Sequence, residues 1–252
     1  MLVKVGCCGF PYSLKRYAQI FHLVEVQKTF YKPPRRETLA RWRSTVPKDF
    51  EFTVKAWQVV THPPNSPTWR KAGIKVEEGK ESRYGMLRPT EENFEAWRVV
   101  EESAETLGAK IIVVQTPPSF GYSEENLRNA YEFFSQVTGR GYLVAWEPRG
   151  SWLENLDKVR RIVEELGVIH VTDVLKRLPV VPGEIVYTRL HGLGREINYR
   201  YKYTDEDLQK LADTILGLDG VREIYVLFNN VYMGEDAARF REVLRSRGVE
   251  MI

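Results

Sequence analysis

The chain has 252 residues, the length of one large α/β domain, and 43% of them are hydrophobic, which is enough to build a sizeable core. A formal net charge of +3 is too small to indicate a nucleic-acid partner by itself. No aliphatic run approaches the length of a membrane span, and the first residues have the pattern of a strand rather than of a signal peptide. We therefore expect a cytoplasmic protein with no membrane partner.

Short segments rich in β-branched and aromatic residues alternate with charged, amphipathic segments along the chain. Eight segments are predicted to be strands: Val3–Gly9, Leu23–Phe30, Phe50–Ala56, Lys110–Thr116, Tyr142–Pro148, Val168–Asp173, Ile185–Gly192 and Glu223–Asn230. Predicted helices between them include Thr90–Gly108, Ser123–Val137, Leu156–Gly167 and Thr204–Leu218. This alternation predicts an α/β fold in which one domain, residues 1–252, forms a (β/α)8 TIM-type barrel. A doubly wound open sheet is the alternative, but no Gly-x-Gly-x-x-Gly follows the first strand.

Three of the predicted helices begin with a hydroxyl residue followed by acids, namely at Thr90, Ser123 and Thr204. The hydroxyl oxygen satisfies a free amide and the acids suit the helix dipole. Gly108 and Gly167 stand just before the next strand and predict helix ends there.

Residues 57–89 form an unusually long connection after the third strand, which carries Pro63, Pro64 and Pro67 and three glycines. Long loops in compact domains are often lids or binding loops, although a surface insertion without a role is an equal alternative.

Side chains two apart along a strand share a face, and in several predicted strands one face is apolar while the other is polar. The polar face carries Glu25, Gln27 and Thr29 in the second strand, Lys55 in the third, Glu147 and Arg149 in the fifth, and Arg189 and His191 in the seventh; Gln115, Asp173 and Asn229 extend this set. The apolar face must pack on the helices, so the polar face is predicted to point into the barrel near the C-terminal ends of the strands, where barrel enzymes have their sites.

These residues predict a site that receives an anionic group. The predicted catalytic residues are Lys55, Glu25, Glu147, Asp173 and His191. The predicted substrate-binding residues are Arg149, Arg189, Gln27, Thr29, His62, Gln115, Trp152, Tyr201 and Asn229. An internal salt-bridge network that merely fills the barrel is the alternative, because buried charges must be paired.

Six blocks of sequence resemble the YecE-like family, the domain of unknown function 72. The blocks are residues 24–31, residues 52–55 with Thr61-His62, residues 115–120, residues 146–152, residues 188–192 and residues 228–230. The resemblance covers nearly the whole chain and implies a β/α barrel whose activity is not established. The family's distant similarity to endonuclease IV-like and xylose isomerase-like barrels implies nucleic-acid binding. Two departures are Gln27, where the family commonly has Asn, and the absence of a histidine directly after Arg149.

The first functional hypothesis is a metal-dependent phosphodiester enzyme with oxygen and nitrogen ligands from Glu25, Glu147, Asp173 and His191. The chain offers too few ligands for a three-zinc cluster like that of endonuclease IV, whereas one Mg²⁺ or Mn²⁺ on carboxylates is left open. The nearby lysine and arginines could equally neutralise these acids without metal.

The second hypothesis is a sugar-processing enzyme, a glycosidase or isomerase, in which Glu25 and Glu147 would be the paired carboxylates. Gln115 and His191 stand on the fourth and seventh strands, where the large retaining glycosidase clan of this fold has glutamates. The third hypothesis is a non-catalytic binder of nucleic acid or a phosphorylated small molecule, because residues 198–203 interleave tyrosines with basic residues. Substrate, metal and oligomeric state are left open by the sequence.

Overall fold

The structure, a computed structural model, describes residues 1–251. Its eight strands are β1 (Leu2–Cys8), β2 (Leu23–Val26), β3 (Glu51–Lys55), β4 (Ile111–Gln115), β5 (Leu143–Glu147), β6 (Ile169–His170), β7 (Ile185–Leu190) and β8 (Glu223–Phe228). The α-helices of the described residues are α1 (Leu14–Tyr17), α2 (Lys28–Tyr31), α3 (Arg36–Thr45), α4 (Gln58–Thr61), α5 (Glu91–Leu107), α6 (Glu124–Val137), α7 (Leu156–Leu166), α8 (Asp205–Leu216) and α9 (Met233–Ser246). Short 3₁₀ helices cover Trp69–Lys71, Glu81–Arg83 and Gly150–Glu154.

All eight strands belong to one sheet with the order β6-β5-β4-β3-β2-β1-β8-β7. The pairs β1–β2, β1–β8, β3–β4, β4–β5 and β7–β8 are parallel. A parallel bridge between Thr172 and Thr188 joins the segment after β6 to β7, the two ends of that order. The fold is a (β/α)8 barrel, as the alternation of strands and helices predicted.

Two compact units make up this chain. The first comprises Met1–Val26, Ser44–Glu51 and Ile169–Ile252, and the second comprises Gln27–Arg43 and Phe52–Val168. In the first, α8 and α9 contribute fully buried residues such as Leu211 and Phe240. In the second, Trp97 packs edge-on against Phe133 with ring centroids 5.4 Å apart.

The predicted helix starts and ends are confirmed. The hydroxyls of Thr90, Ser123 and Thr204 accept hydrogen bonds from the amides of Asn93, Asn126 and Asp207, and Thr204 forms a capping box with Asp207. Gly108 and Gly167 end their helices in the left-handed conformation, with φ of 65° at each. The sequence predicts these starts and ends correctly because each depends on contacts between residues only a few positions apart.

The second predicted strand, Leu23–Phe30, is wrong beyond Val26. The chain leaves the sheet at Gln27, which precedes α2, so Gln27 and Thr29 do not lie on the face of a strand. The hydroxyl of Thr29 instead donates to the carbonyl oxygen of Lys55 at 2.6 Å. The sixth strand is also shorter than predicted, and Asp173 lies after it, directly before the turn at residues 174–176.

The long connection after β3 is closed at its base by backbone hydrogen bonds. The amides of Gly85 and Leu87 donate to the carbonyls of Val59 and Val60 at 2.8 and 3.0 Å. The side chain of Asn93 both accepts from the amide of Gly85 and donates to its carbonyl. A role for residues 57–89 as a lid stays a prediction.

Gly85 has a φ of +70°, and a Cβ there would lie 2.1 Å from the carbonyl oxygen of His62. We therefore expect Gly85→Ala to lower the free energy of unfolding by about 3 kcal/mol, since strain and a backbone clash combine. Gly79 is the matched control, because its φ is +83° but a Cβ would meet nothing within 4 Å. Gly79→Ala should cost about 1 kcal/mol in the same urea titration. Equal losses in the two variants would contradict the close approach at His62.

Candidate functional site

In the second unit, Lys55 ends β3 with its ammonium group held between a ring and a carboxamide. Its Nζ donates to Oε1 of Gln115, at the end of β4, over 2.8 Å. The same Nζ lies 4.0 Å from the centroid of the Phe30 ring. Lys55 and Gln115 are 7% and 6% exposed, so this cation lies in a largely desolvated position.

Glu147 and Arg149 form an ion pair at the end of β5. Nε and Nη2 of Arg149 both donate to Oε1 of Glu147, at 2.8 and 2.6 Å. The two side chains are 9% and 13% exposed. The ion pair is therefore largely desolvated, with only a small exposed fraction on each side chain.

His62 follows α4 and is 8% exposed. Its Nδ1 lies 2.8 Å from the hydroxyl of Thr61, and its ring packs edge-on against Phe30 with centroids 5.0 Å apart. Burial, and then the positive charges of Lys55 and Arg149, lower the pKa of His62 to about 3. The imidazole is therefore neutral at physiological pH, in a region of positive potential.

In the first unit, Glu25 and Arg189 form a fully buried pair. Nη2 of Arg189 donates to Oε1 of Glu25 at 2.9 Å, and the hydroxyl of Tyr187 donates to Oε2, also at 2.9 Å. Neither Glu25 nor Arg189 exposes more than 1% of its side chain. This contact is what the alternative of an internal salt-bridge network predicts. The glycosidase hypothesis needs Glu25 as an accessible carboxylate beside Glu147, and the burial of Glu25 does not favour that role.

Asp173 and His191 also come together in the first unit. The backbone amides of His191 and Leu175 donate to the two carboxylate oxygens of Asp173 at 3.1 and 3.2 Å, and Nζ of Lys176 lies 3.3 Å from Oδ2. Burial raises the pKa of Asp173, against the opposing effects of Lys176 and these amides. The carboxylate thus anchors the start of the loop after β7.

A matching family model shows which proteins share this architecture. The model, described as protein of unknown function DUF72, matches residues 9–250. The chain belongs to the DUF72 family. The resemblance seen in the sequence is thereby confirmed, and the UPF0759 protein YunF of Bacillus subtilis (strain 168) is 23% identical over 264 residues, 94% of this chain and 87% of that protein.

Solved structures support the same conclusion about the fold. A DUF72 family protein from Thermotoga maritima MSB8 has a TM-score of 0.69 and 25% identity, covering 97% of this chain and 100% of that one. Endonuclease IV from Thermus thermophilus has a TM-score of 0.51 and 12% identity, with 98% of each chain covered. At such identity the likeness to endonuclease IV shows the fold alone.

Three other predicted binding residues of this DUF72 protein have local contacts. Trp152 is fully buried, donates from Nε1 to the carbonyl of Phe120 at 2.6 Å, and packs on Trp146, so contact with a ligand would require this cluster to open. The hydroxyl of Tyr201 donates at 2.6 Å to Oδ2 of Asp207, the residue that forms the capping box of α8 with Thr204. Asn229 is half-buried just after β8. Their binding roles stay predictions.

Sequence reasoning missed a polar cluster at the N-terminal ends of three strands in the first unit. Nζ of Lys4 donates to Glu51 at 2.6 Å, to Glu223 at 2.8 Å and to the hydroxyl of Tyr225 at 2.9 Å. The signal that could have found this cluster is side-chain alternation, which puts Glu51 on the same face of β3 as Lys55. Phe30, beneath the Lys55 ammonium, was missed because it lies in a helix rather than the predicted strand.

The residues 1–251 of the DUF72 protein contain no group of three or more His, Cys, Asp or Glu side chains arranged to hold a metal ion. The three carboxylates predicted as ligands, Glu25, Glu147 and Asp173, are each paired with a cationic side chain. We therefore derive no step through a bound metal. Within the same described residues, no helix combines the length and hydrophobicity of a transmembrane segment.

Proposed function

We propose that this DUF72 protein binds the phosphate group of an anionic ligand through Lys55 and Arg149, at the C-terminal ends of β3 and β5. The observation that carries this proposal is that two nearly buried cations, Lys55 and Arg149, lie near the buried imidazole of His62, whose pKa is lowered first by burial and then by their charges. The same two cations would stabilise a phosphate beside that ring, because they attract its negative charge in a region of reduced dielectric constant.

The polar groups around the two cations offer more hydrogen-bond donors than a carboxylate needs, which favours a phosphate as the bound anion. Gln115 presents a carboxamide beside the ammonium of Lys55, and the neutral imidazole of His62 supplies one donor and one acceptor. The guanidinium of Arg149 is planar and matches two phosphate oxygens at once. These groups together offer several donors of fixed direction within one unit.

Binding would also change the state of Glu147. An arriving phosphate competes with Glu147 for the guanidinium of Arg149, which now donates twice to one carboxylate oxygen. A carboxylate released in this way can accept a proton from an attacking water, the role of a general base in phosphate-ester hydrolysis. Endonuclease IV, the structural neighbour from Thermus thermophilus, is an endonuclease by its name, so we propose nucleic acid as the ligand class and phosphate-ester processing as the activity.

The test is fluorescence anisotropy with short single- and double-stranded DNA and RNA, titrated with salt. We expect Arg149→Ala to weaken binding about 10- to 100-fold, since a charge-assisted pair of hydrogen bonds is lost. Arg160→Ala is the matched control, because Arg160 is exposed on α7 in the same unit and, among residues 1–251, its ion-pair partner is Glu164. Mg²⁺ or Mn²⁺ would then be added to detect cleavage.

Lys55→Met provides a second variant that keeps the length of the side chain and removes its charge. Equal binding by the wild type, Arg149→Ala and Lys55→Met would contradict the proposal. Weakening that tracks a lower melting temperature, rather than the lost charge, would contradict it as well. Circular dichroism of each variant at the titration temperature separates the two effects.

A further inference from the structure

Positive charge in this chain is concentrated in one short segment of the second unit. Residues 27–43 contain Lys28, Lys32, Arg35, Arg36, Arg41 and Arg43 against the single acid Glu37. The segment therefore carries +5, and because the whole chain carries +3, the remaining residues together carry −2. Such local asymmetry is the electrostatic pattern of a surface that meets a polyanion.

Exposed cations lie beside two aromatic rings of this segment, the exposed ring of Tyr31 and the half-buried ring of Trp42. Tyr31 is 39% exposed, and Nζ of Lys71 lies 5.0 Å from its ring centroid. Nζ of Lys28 lies 5.6 Å from the ring of Trp42. In the part of the chain that the structure describes, Lys32, Arg35 and Arg36 are exposed and form no ion pair with a carboxylate.

A continuous row of contacts connects this surface with Lys55. The ring of Phe30, under the ammonium of Lys55, packs edge-on against Tyr31 with centroids 5.1 Å apart. The indole Nε1 of Trp57 and Nε2 of Gln58 donate to the carbonyl of Tyr31 at 3.2 and 3.1 Å, which holds this residue in place. The row therefore leads from a buried cation to an exposed ring bordered by cations.

We propose that Lys28, Tyr31, Lys32, Arg35, Arg36 and Lys71, the Tyr31 surface, bind the nucleotides flanking a phosphate at Lys55, and that the ligand is single-stranded nucleic acid. This inference rests on the proposed function. Exposed rings can stack on bases that are unpaired, whereas the base faces of a duplex are hidden, and cations beside the rings follow the phosphate backbone. A membrane surface or an acidic peptide would also attract these cations, but neither offers an unpaired base to stack on the exposed ring.

The experiment compares a labelled dinucleotide with a long oligodeoxythymidylate by anisotropy across a salt series. The wild type should bind the long strand more tightly than the dinucleotide. Tyr31→Ala should weaken long-strand binding about 5- to 100-fold, and Tyr31→Phe, which keeps the ring, should not. The double variant Arg35→Ala/Arg36→Ala should reduce the slope of log affinity against log salt by about 1.4, or about 0.7 per lost contact.

The control double variant is Arg160→Ala/Arg161→Ala, on exposed positions of α7 whose arginines pair with Glu164 and Glu165. The inference would be overturned if Tyr31→Ala and Arg35→Ala/Arg36→Ala bound the long strand with the same affinity and the same salt slope as this control. Tighter binding of a duplex, of anionic vesicles or of an acidic peptide than of the single strand would also overturn it. The proposed function is tested separately, by whether Arg149→Ala and Lys55→Met bind the dinucleotide more weakly than the wild type does.

Discussion

Arg189→Ala lowers the free energy of unfolding by about 3–5 kcal/mol, because it leaves the buried carboxylate of Glu25 without its guanidinium partner. The hydroxyl of Tyr187 still donates to that carboxylate, but a neutral donor does not compensate a charge. Urea titration followed by tryptophan fluorescence measures the loss. Since Arg189 has almost no exposed surface, we expect Arg189→Ala to weaken ligand binding by destabilising the fold rather than by removing a contact with the ligand.

Two further variants separate the charge from the packing. Arg189→Lys keeps the cation and should lose less than Arg189→Ala, whereas the double variant Glu25→Leu/Arg189→Met removes both charges and should recover part of the loss. A loss below about 1 kcal/mol in Arg189→Ala would show that this pair does not stabilise the fold, and the internal salt-bridge interpretation of these two residues would then be abandoned.

His62 makes the stability of the protein depend on pH. Its pKa is about 3 in the folded protein and near the ordinary value of 6.5 in the unfolded chain, so the unfolded state binds a proton first as the pH falls. Stability is therefore lost as the pH falls from 6.5 towards 3. Each pH unit of that interval contributes about 1.4 kcal/mol, which gives a loss of about 3 kcal/mol at pH 4.

The comparison with His62→Gln isolates this effect from the titration of the carboxylates. Glutamine stays neutral at every pH, so the difference in free energy of unfolding between wild type and variant should fall steadily below pH 6.5. A constant difference between pH 7 and pH 4 would contradict the burial of a neutral imidazole beside Lys55 and Arg149. The proton resonances of the His62 ring give an independent titration.

The sequence predicted those parts of the fold that depend on near neighbours. Thr90, Ser123 and Thr204 cap helices through residues three positions away, and Gly108 and Gly167 end them by their own conformational freedom. Strand parity needs only the period of two, and it placed Lys55 and Gln115 on a common face, as their hydrogen bond shows.

Other features depend on contacts between residues far apart in the sequence. The alternation of Glu25, Gln27 and Thr29 continues past the end of β2, yet the chain turns into α2, where the hydroxyl of Thr29 bonds to the backbone of Lys55, 26 residues away. The partner of each charge also follows from the register of distant strands, which no local pattern contains. Parity placed Glu25 and Arg189 on polar faces, but it did not show that they pair with each other.

The most direct test of the anion site is a crystal structure of the protein grown with a short single-stranded oligonucleotide. We expect a phosphate within hydrogen-bond distance of Nζ of Lys55 and the guanidinium of Arg149, with Glu147 released from at least one of its two contacts. An oligonucleotide bound elsewhere, with the pair of Glu147 and Arg149 intact and no phosphate at Lys55, would contradict the proposed site.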